Sequence, residues 1–483
     1  MGGEHGAPRK AASPLLGKTS TLGVCLVLLI CETWIFLYRS KDWDLYSYQR
    51  YAQSYHESSL AAMYARHTVE YPPLAVLLML GANEAAGRLP DCSTLGGVFR
   101  ECQGPRPLAN FKFVYRLAMA AATFATFWLL LPLSRRFLGR EALSERWERL
   151  LTFSLAVGIL GHFAFDRLDM VLAGLIVLAL SLLSGTGHFL WSFLVLALAI
   201  AFKIVPVVLI PFWVLGSLPV PMLAPSSGAG WRRLLLAAAG RGLLLAALTL
   251  AFLAPFFLLA GHRSLTFFTY HKDRGIEFGS SYAALLGALQ HLTGLKATTC
   301  PSYGSLDVRS SLSPLLTLLA PALTGMLVAG VVLLLFLAGR RAARAGPNPS
   351  AAARHLAPSC GAEFPAHVLL ALMIFLLTNK VFSPQYVLWL TPLVPLVPLG
   401  GWRRRLFLAG FLLLCLVTYL ISPHWMNEVI GPACSSSPTT FRGPSRLGSA
   451  LLLTRTALLL GLIGGLTAHL VRRLRGPVAV PIT

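Results

Sequence analysis

Apolar stretches long enough to cross a bilayer recur along almost the whole of this chain, and they leave few folds open. A helix that spans the hydrocarbon layer needs about 17–25 such residues. The chain supplies run after run of them. Over 483 residues, 55% are hydrophobic and only 12% are charged, against roughly 25% charged in soluble domains. The mean hydropathy is +0.67. A strand bundle of this hydropathy would leave backbone groups unpaired in lipid, so the chain is expected to be an all-α polytopic membrane protein. The first apolar run, from about Ser20 to Tyr38, resembles a signal peptide only superficially. It lacks a small-residue cleavage site and more spans follow, which points to a retained anchor.

The formal net charge of +22 raises the question of nucleic acid, but the distribution of the charge excludes it. The basic clusters fall between apolar runs, where anchoring charges belong. They are Arg9/Lys10/Lys18, Arg135/Arg136/Arg140, Arg232/Arg233, Arg340/Arg341/Arg344, Arg403/Arg404/Arg405 and Arg472/Arg473/Arg475. Placing all of them in the cytoplasm, by the positive-inside rule, gives spans near 20–38, 113–133, 150–165, 170–184, 188–202, 204–219, 234–260, 313–338, 365–379, 386–400, 405–422 and 448–470. That makes about 12 transmembrane helices with both termini cytoplasmic, in a cell membrane of bacterial type.

This map was drawn without the aspartates. All seven of them, Asp42, Asp44, Asp91, Asp166, Asp169, Asp273 and Asp307, then fall on the outer side. Longer outer loops that need polar residues would explain part of this; a working outer face would explain all of it. Two outer segments are long, 39–112 and 261–312. In the first, Tyr71-Pro72-Pro73 opens a short apolar stretch to Leu80, soon broken by Asn83 and Glu84. It reads as a re-entrant or surface helix with proline in its first turn. Tyr48, Tyr51 and Tyr55 share one helical face, as in a helix lying along the membrane. The Ala/Arg/Pro/Ser-rich segment 340–364 reads as a cytoplasmic linker. It divides a module over 1–339 from C-terminal helices over 365–483, and no internal repeat is evident. Four of the eight cysteines, Cys92, Cys102, Cys300 and Cys434, lie outside on this map. They could form Cys92–Cys102 and Cys300–Cys434 disulfides or remain free thiols.

Charged groups near a hydrocarbon core are costly and tend to be kept for a task. Asp42-Trp43-Asp44 follows the first span directly. Asp166-Arg167-Leu168-Asp169 joins two short spans, and Lys203 ends another. Tyr270-His271-Lys272-Asp273-Arg274-Gly275 opens the second long loop. Asn379-Lys380 and Ser383-Pro384-Gln385-Tyr386 lie between later spans. All are expected at one depth on one side. Arginine and lysine neutralise phosphate, while carboxylates and amides hydrogen-bond sugar hydroxyls. Each also has a plain structural reading. Lys203 could snorkel, Arg167 could pair with Asp166 or Asp169, His271 could be solvated, and Gln385 and Tyr386 could be residues of a helix end.

At these residues the chain resembles the integral-membrane glycosyltransferases of the GT-C superfamily. Within it, the resemblance is to glycosyltransferase family 87, the polyprenol-phosphate-mannose-dependent mannosyltransferase-like proteins. The matching pieces are Asp44-Leu45-Tyr46, Glu70-Tyr71-Pro72-Pro73-Leu74, Lys203 with Pro206, the 270–275 stretch and Ser383-Pro384-Gln385-Tyr386. Their order and spacing run over roughly 20–400. The first-loop Asp-x-Asp also looks like that of the mannosyltransferases of glycolipid-anchor assembly. The stretch Glu277-Phe278-Gly279-Ser280-Ser281 follows the family's loop only loosely.

The resemblance implies a polyprenyl-phosphate sugar donor, usually mannose and sometimes arabinofuranose. It implies transfer to a lipid or glycan acceptor on the extracytoplasmic face, with inversion and an aspartate general base. Asp44 matches that aspartate, with Asp42 second. Lys203, His271, Lys272, Arg274 and Lys380 are then candidates for the donor phosphate. Glu70, Tyr71, Asp166, Arg167, Asp169, Gln385 and Tyr386 are candidates for the substrates. A lipid monophosphate needs no metal, so no cofactor is expected, although Asp42 and Asp44 have the spacing of a divalent-cation pair. The rival class is a secondary transporter of twelve spans, whose site would sit near the midplane between repeats.

Overall fold

The computed structural model describes residues 14–37, 43–89, 108–139, 143–185, 189–344, 361–434 and 437–476. Helices dominate. In chain order they are α1 (Pro14–Leu37), α2 (Trp43–Glu57), α3 (Leu60–Arg66), α4 (Pro73–Ala86), α5 (Leu108–Leu138), α6 (Leu143–Leu160), α7 (His162–Asp166), α8 (Asp169–Gly185), α9 (Phe189–Phe202), α10 (Ile210–Ser217), α11 (Gly228–Ala260), α12 (Thr266–Asp273), α13 (Ser281–Thr293), α14 (Ser313–Arg344), α15 (Phe364–Thr378), α16 (Gly401–Tyr419), α17 (Met426–Ile430) and α18 (Arg446–Arg475). Among the described residues five helical stretches are long and apolar enough to cross a membrane: Leu108–Leu138, Gly228–Asp273, Ser313–Arg344, Gly401–His424 and Arg446–Arg475; in the second, α11 is the apolar part and the polar α12 lies beyond it in the second long loop. Six shorter apolar helices accompany them. Their outward faces expose Leu22, Leu243, Leu258 and Leu318, a surface suited to lipid rather than water. The chain is an integral membrane protein.

The two ends of the bundle differ in chemistry, and side-chain contacts show which helix termini share an end. Arg116, early in α5, reaches Asp166 before α8. Arg136, late in α5, bonds the carbonyl of Ser181 and the hydroxyl of Ser184 at the end of α8. At that second end Arg404 meets Glu145 and Glu148. There too His469 and Arg473 meet Glu363. Arg136, Arg404 and Arg473, from three of the arginine clusters, therefore share one end. The five described aspartates, Asp44, Asp166, Asp169, Asp273 and Asp307, lie at the other. Asp42 and Asp91 are outside the described residues.

The expected span over 386–400 is not an α-helix. Pro384, Pro392, Pro395 and Pro398 remove backbone donors and forbid a regular ladder. The chain instead forms 3₁₀ turns at Pro384–Trp389 and Val394–Leu396. Almost every residue of this segment is buried, and only such a position tolerates irregular backbone at membrane depth. Arg149 of α6 supplies missing donors, bonding the carbonyls of Val397 and Leu399 at 2.5 Å each. Pro206 and Pro211 act similarly on the expected span 204–219. It becomes a 3₁₀ turn, Val205–Leu209, followed by the short α10.

The all-α expectation also missed a small four-stranded antiparallel sheet in the order β2-β1-β4-β3. Its strands are β1 (Thr298–Ser302), β2 (Ser305–Arg309), β3 (Ala433–Cys434) and β4 (Ser437–Phe441). β1 and β2 form a hairpin whose turn places Tyr303 and Gly304 both at positive φ, the pairing a tight two-residue hairpin requires. Cys300 is a free thiol. β4 lies between the strand that carries it and the strand that carries Cys434, which separates the two cysteines. Cys92 and Cys102 lie outside the described residues, as does most of the expected linker; α14 continues helically through Arg344.

In the first long loop, α4 begins at Pro73 in its first turn, as expected. The tyrosine face of α2 turns inward rather than only along an interface. Tyr48 is buried, and its hydroxyl pairs with that of Tyr71 at 2.8 Å.

Replacing Arg149 with methionine leaves two buried carbonyls without charged donors. We expect a loss of about 3 kcal/mol of stability, read as a lower thermal midpoint of the detergent-purified protein.

Candidate functional site

The turn between α7 and α8 organises the site. Asp166 ends α7 and is fully buried. It accepts from Arg116 through Nε at 2.6 Å and Nη2 at 2.9 Å. Arg116 also donates to the carbonyl of Phe36 at 3.0 Å, which ties α1, α5 and α7 together. A planar guanidinium on both carboxylate oxygens is the arrangement that best offsets burial of two charges. Asp166 is thus a structural partner and is not presented to a substrate.

Arg167, the next residue, turns outward and forms an ion pair with Asp44 in the first turn of α2. Both side chains keep access to solvent, 20% for Arg167 and 22% for Asp44. Two residues on, Asp169 opens α8 and is buried again. Its Oδ1 accepts from Lys203 Nζ at 2.7 Å and from Trp389 Nε1 at 2.6 Å. Lys203 ends α9, and its ammonium lies 5.0 Å from the ring centre of Tyr386, 5.3 Å from Trp389 and 6.0 Å from Tyr71. A cation among aromatic faces is favoured by their quadrupoles. Tyr386 stacks on Trp389 at 4.3 Å. Asp44 and Tyr48 are one helical turn apart on α2, so the Tyr48–Tyr71 contact joins the Asp44 side of the site to the Lys203 side.

The second long loop closes over these groups. Arg274 is buried and donates to Glu277 Oε1 at 3.1 Å. Glu277 also accepts from Ser383 Oγ at 2.8 Å, Ser305 Oγ at 3.2 Å and the Phe382 amide at 2.7 Å. One carboxylate therefore holds the loop, the β1–β2 hairpin and the segment before Pro384. Burial works against the Arg274 charge. Glu277, with Tyr386, Tyr270 and Glu70 beyond it, outweighs that, and the net effect raises its pKa. Glu70 lies close enough to act electrostatically on Tyr71, Tyr270, Arg274 and Tyr386.

Of the expected cations, Lys203 and Arg274 occupy the site, and both are paired with carboxylates. Lys272 is exposed at the loop surface. Lys380 turns away, donating to the backbone carbonyls of Lys272, at 2.8 Å, and Arg274. His271 is not a cation. Burial, then Arg274, Lys203 and Lys380, push its pKa down from 6.5 to about 4. It is a neutral imidazole near neutral pH and offers hydrogen bonds rather than charge. Gln385 is buried beside Tyr386. Among the described residues no group of three or more His, Cys, Asp and Glu side chains could hold a metal ion. Asp42 lies outside them.

No protein-family model matches the chain, and no curated protein matches it. Among solved structures, ArnT from Cupriavidus metallidurans bound to undecaprenyl phosphate is similar at 15% identity and a TM-score of 0.41. The match covers 96% of this chain and 78% of that one. The apo state of the same protein aligns at 16% identity and a TM-score of 0.41, covering 95% and 78%. Similarity at that level carries no argument about fold or function.

Sequence reasoning missed Glu277, Trp389 and Arg116. Glu277 stands in a stretch that departs from the expected loop pattern, and its four donors come from three separate parts of the chain. Trp389 was read as part of a span. Arg116 stands alone among apolar and small residues near the start of α5, outside every basic cluster. Nothing local marks Arg116 or Trp389 as a partner of a specific carboxylate, or Glu277 as the acceptor for residues 382 and 383.

The depressed pKa of His271 gives a signed prediction. The folded protein binds this proton only near pH 4, whereas the unfolded chain takes it up near 6.5. The stability from neutral His271 is therefore present above pH 6.5 and is lost as pH falls toward about 4. Thermal midpoints measured from pH 7 to 4 should fall more steeply for the parent than for His271→Asn.

Proposed function

We propose that this protein transfers a sugar, mannose being the first candidate, from a polyprenyl-phosphate donor to a hydroxyl of a lipid or glycan acceptor. Transfer occurs on the extracytoplasmic face with inversion, as in the GT-C glycosyltransferases that the sequence motifs resemble. The observation that carries this reading is the sorting of the three aspartates around the 166–169 turn. Asp166 and Asp169 are buried and committed to Arg116 and Lys203. Asp44 keeps access to solvent at the mouth of a site lined by Arg167, Lys203, Tyr71 and Arg274.

The chemistry follows from that arrangement. The Asp44 carboxylate takes the proton of the acceptor hydroxyl as its oxygen attacks the anomeric carbon. The bond from that carbon to the phosphate oxygen breaks on the opposite face, and the electron pair leaves with the lipid phosphate. A positioned base of this kind contributes about 10²–10⁴-fold. Charge developing on the leaving phosphate needs fixed cations. Arg274 is the first of these, because its buried Nε has no hydrogen-bond partner and is available to an entering anion. Lys272 stands at the rim, and Arg167 and Lys203 can share their carboxylates with the phosphate. His271 donates or accepts a hydrogen bond. Glu70, Gln385, Tyr71 and Tyr386 offer groups to the sugar. These cations neutralise a lipid monophosphate without a divalent ion.

The direct test is incubation of the purified protein with polyprenyl-phosphate mannose and a membrane lipid extract, followed by mass analysis for a glycosylated product. Asp44→Asn should express normally and lose transfer by at least about 10²-fold; a variant as active as the parent sinks the assignment. In the same assay EDTA should leave transfer intact. Abolition by EDTA with recovery on Mn²⁺ would instead make the first-loop aspartates a metal pair. Solute uptake by reconstituted vesicles without any transfer product would replace the enzyme by a transporter.

A further inference from the structure

We propose that Lys380 is a tethered cation that holds the second outer loop in place, in the position a bound metal ion would take, and thereby positions Arg274. Its ammonium comes from the segment after α15, far away in sequence. It bonds two backbone carbonyls, those of Lys272 and Arg274, at the end of α12. Carbonyls at a helix C-terminus carry the negative end of the helix dipole and lack intrahelical donors, so a cation is favoured there. Carboxylates complete the surroundings. Burial and the Arg274 guanidinium act against the Lys380 ammonium, and Asp307 and Asp273 act in its favour. Asp307 is buried; its Oδ2 accepts the Gly275 amide at 3.0 Å, and its Oδ1 has no hydrogen-bond partner. Backbone carbonyls and carboxylate oxygens are the ligands that hard cations select, and here a lysine answers them.

The neighbourhood is built to close tolerance. A Cβ on Gly275 would lie 2.7 Å from Asp307 Oδ2, so only glycine lets this carboxylate reach the amide. The Glu277 amide donates to the Lys380 carbonyl at 2.9 Å, so the two segments are fastened from both directions. Between the fastened points sits Arg274, whose guanidinium faces Glu277 and Tyr270. Lys380 thus acts on the site through the backbone of residues 272–277 and not by contact with a substrate.

The test uses full-length protein in detergent with no sugar donor present, so its outcome does not depend on the proposed transfer reaction. Lys380→Met removes the charge and keeps the length. We expect chymotryptic cleavage at Phe267, Phe268 and Phe278 to quicken about tenfold, the scale of a lost charge-assisted hydrogen bond, and millimolar methylammonium to restore protection. Without the ammonium, the carbonyls and carboxylates around it are left uncompensated. Asp307→Asn added to Lys380→Met should therefore recover part of the protection, and it supplies a folded variant should the single one misfold. Unchanged cleavage of Lys380→Met overturns the proposal. Faster cleavage that neither methylammonium nor Asp307→Asn relieves also overturns it, since the loss is then one of packing.

Discussion

A charge buried at the end of a lipid-embedded bundle must find its opposite within the protein, and that constraint shapes the polar end of this molecule. Water is too distant to solvate it, and an unpaired ion there costs several kcal/mol. The chain answers with pairs: Arg116 with Asp166 and Lys203 with Asp169 join distant segments, and Arg274 with Glu277 closes within the second long loop. The first two pairs are also fastenings between helices. Asp169 alone joins α8, the end of α9 and the 3₁₀ segment at Trp389 through a single oxygen.

How much of this the sequence displayed depends on the range of the interaction. The two-ended organisation was legible because it is written in local composition. Arginine clusters between apolar runs set the direction of each helix, and the described aspartates all fell at the far end. The candidate residues 44, 70–71, 166–169, 203, 270–274 and 385–386 do come together. Their roles were not legible. Asp166 and Asp169 are nearly identical as sequence, each an aspartate beside a short span. Only the fold shows that both are committed to buried cations, while Asp44 pairs with the partly exposed Arg167 and keeps access to solvent. His271 reads as a cation until three positive neighbours and burial are placed around it. Glu277 and Trp389 were invisible for a related reason, since Trp389 meets Asp169 across 220 residues and two of the four donors to Glu277 lie more than a hundred residues away.

The missed backbone features have a different cause. Hydropathy registers burial but not regularity. The segment 386–400 is apolar because it is enclosed, and its three prolines, with Pro384 just before them, were the signal that it could not be a helix. Once enclosed, it needs donors from elsewhere, which Arg149 provides. The small sheet escaped because its strands are two to five residues long and pair β1 with β4 across more than a hundred residues. Strands that short have no periodicity to read.

The pairing constraint also bears on the proposed lipid-phosphate donor. Bare cations waiting at a membrane surface would repel one another and loosen the loops that carry them. Cations already matched with carboxylates cost little to hold in place. An entering phosphate exchanges partners with them and adds only its own charge, which exposed Lys272 and the unused Nε of Arg274 can meet. Arg167 stands at the point where this exchange matters most. In the proposed reaction its ion pair with Asp44 is one of these exchanges, because the guanidinium that holds the carboxylate can also turn to a phosphate. A phosphate that drew it away would leave the Asp44 carboxylate to the acceptor hydroxyl that the proposed transfer requires.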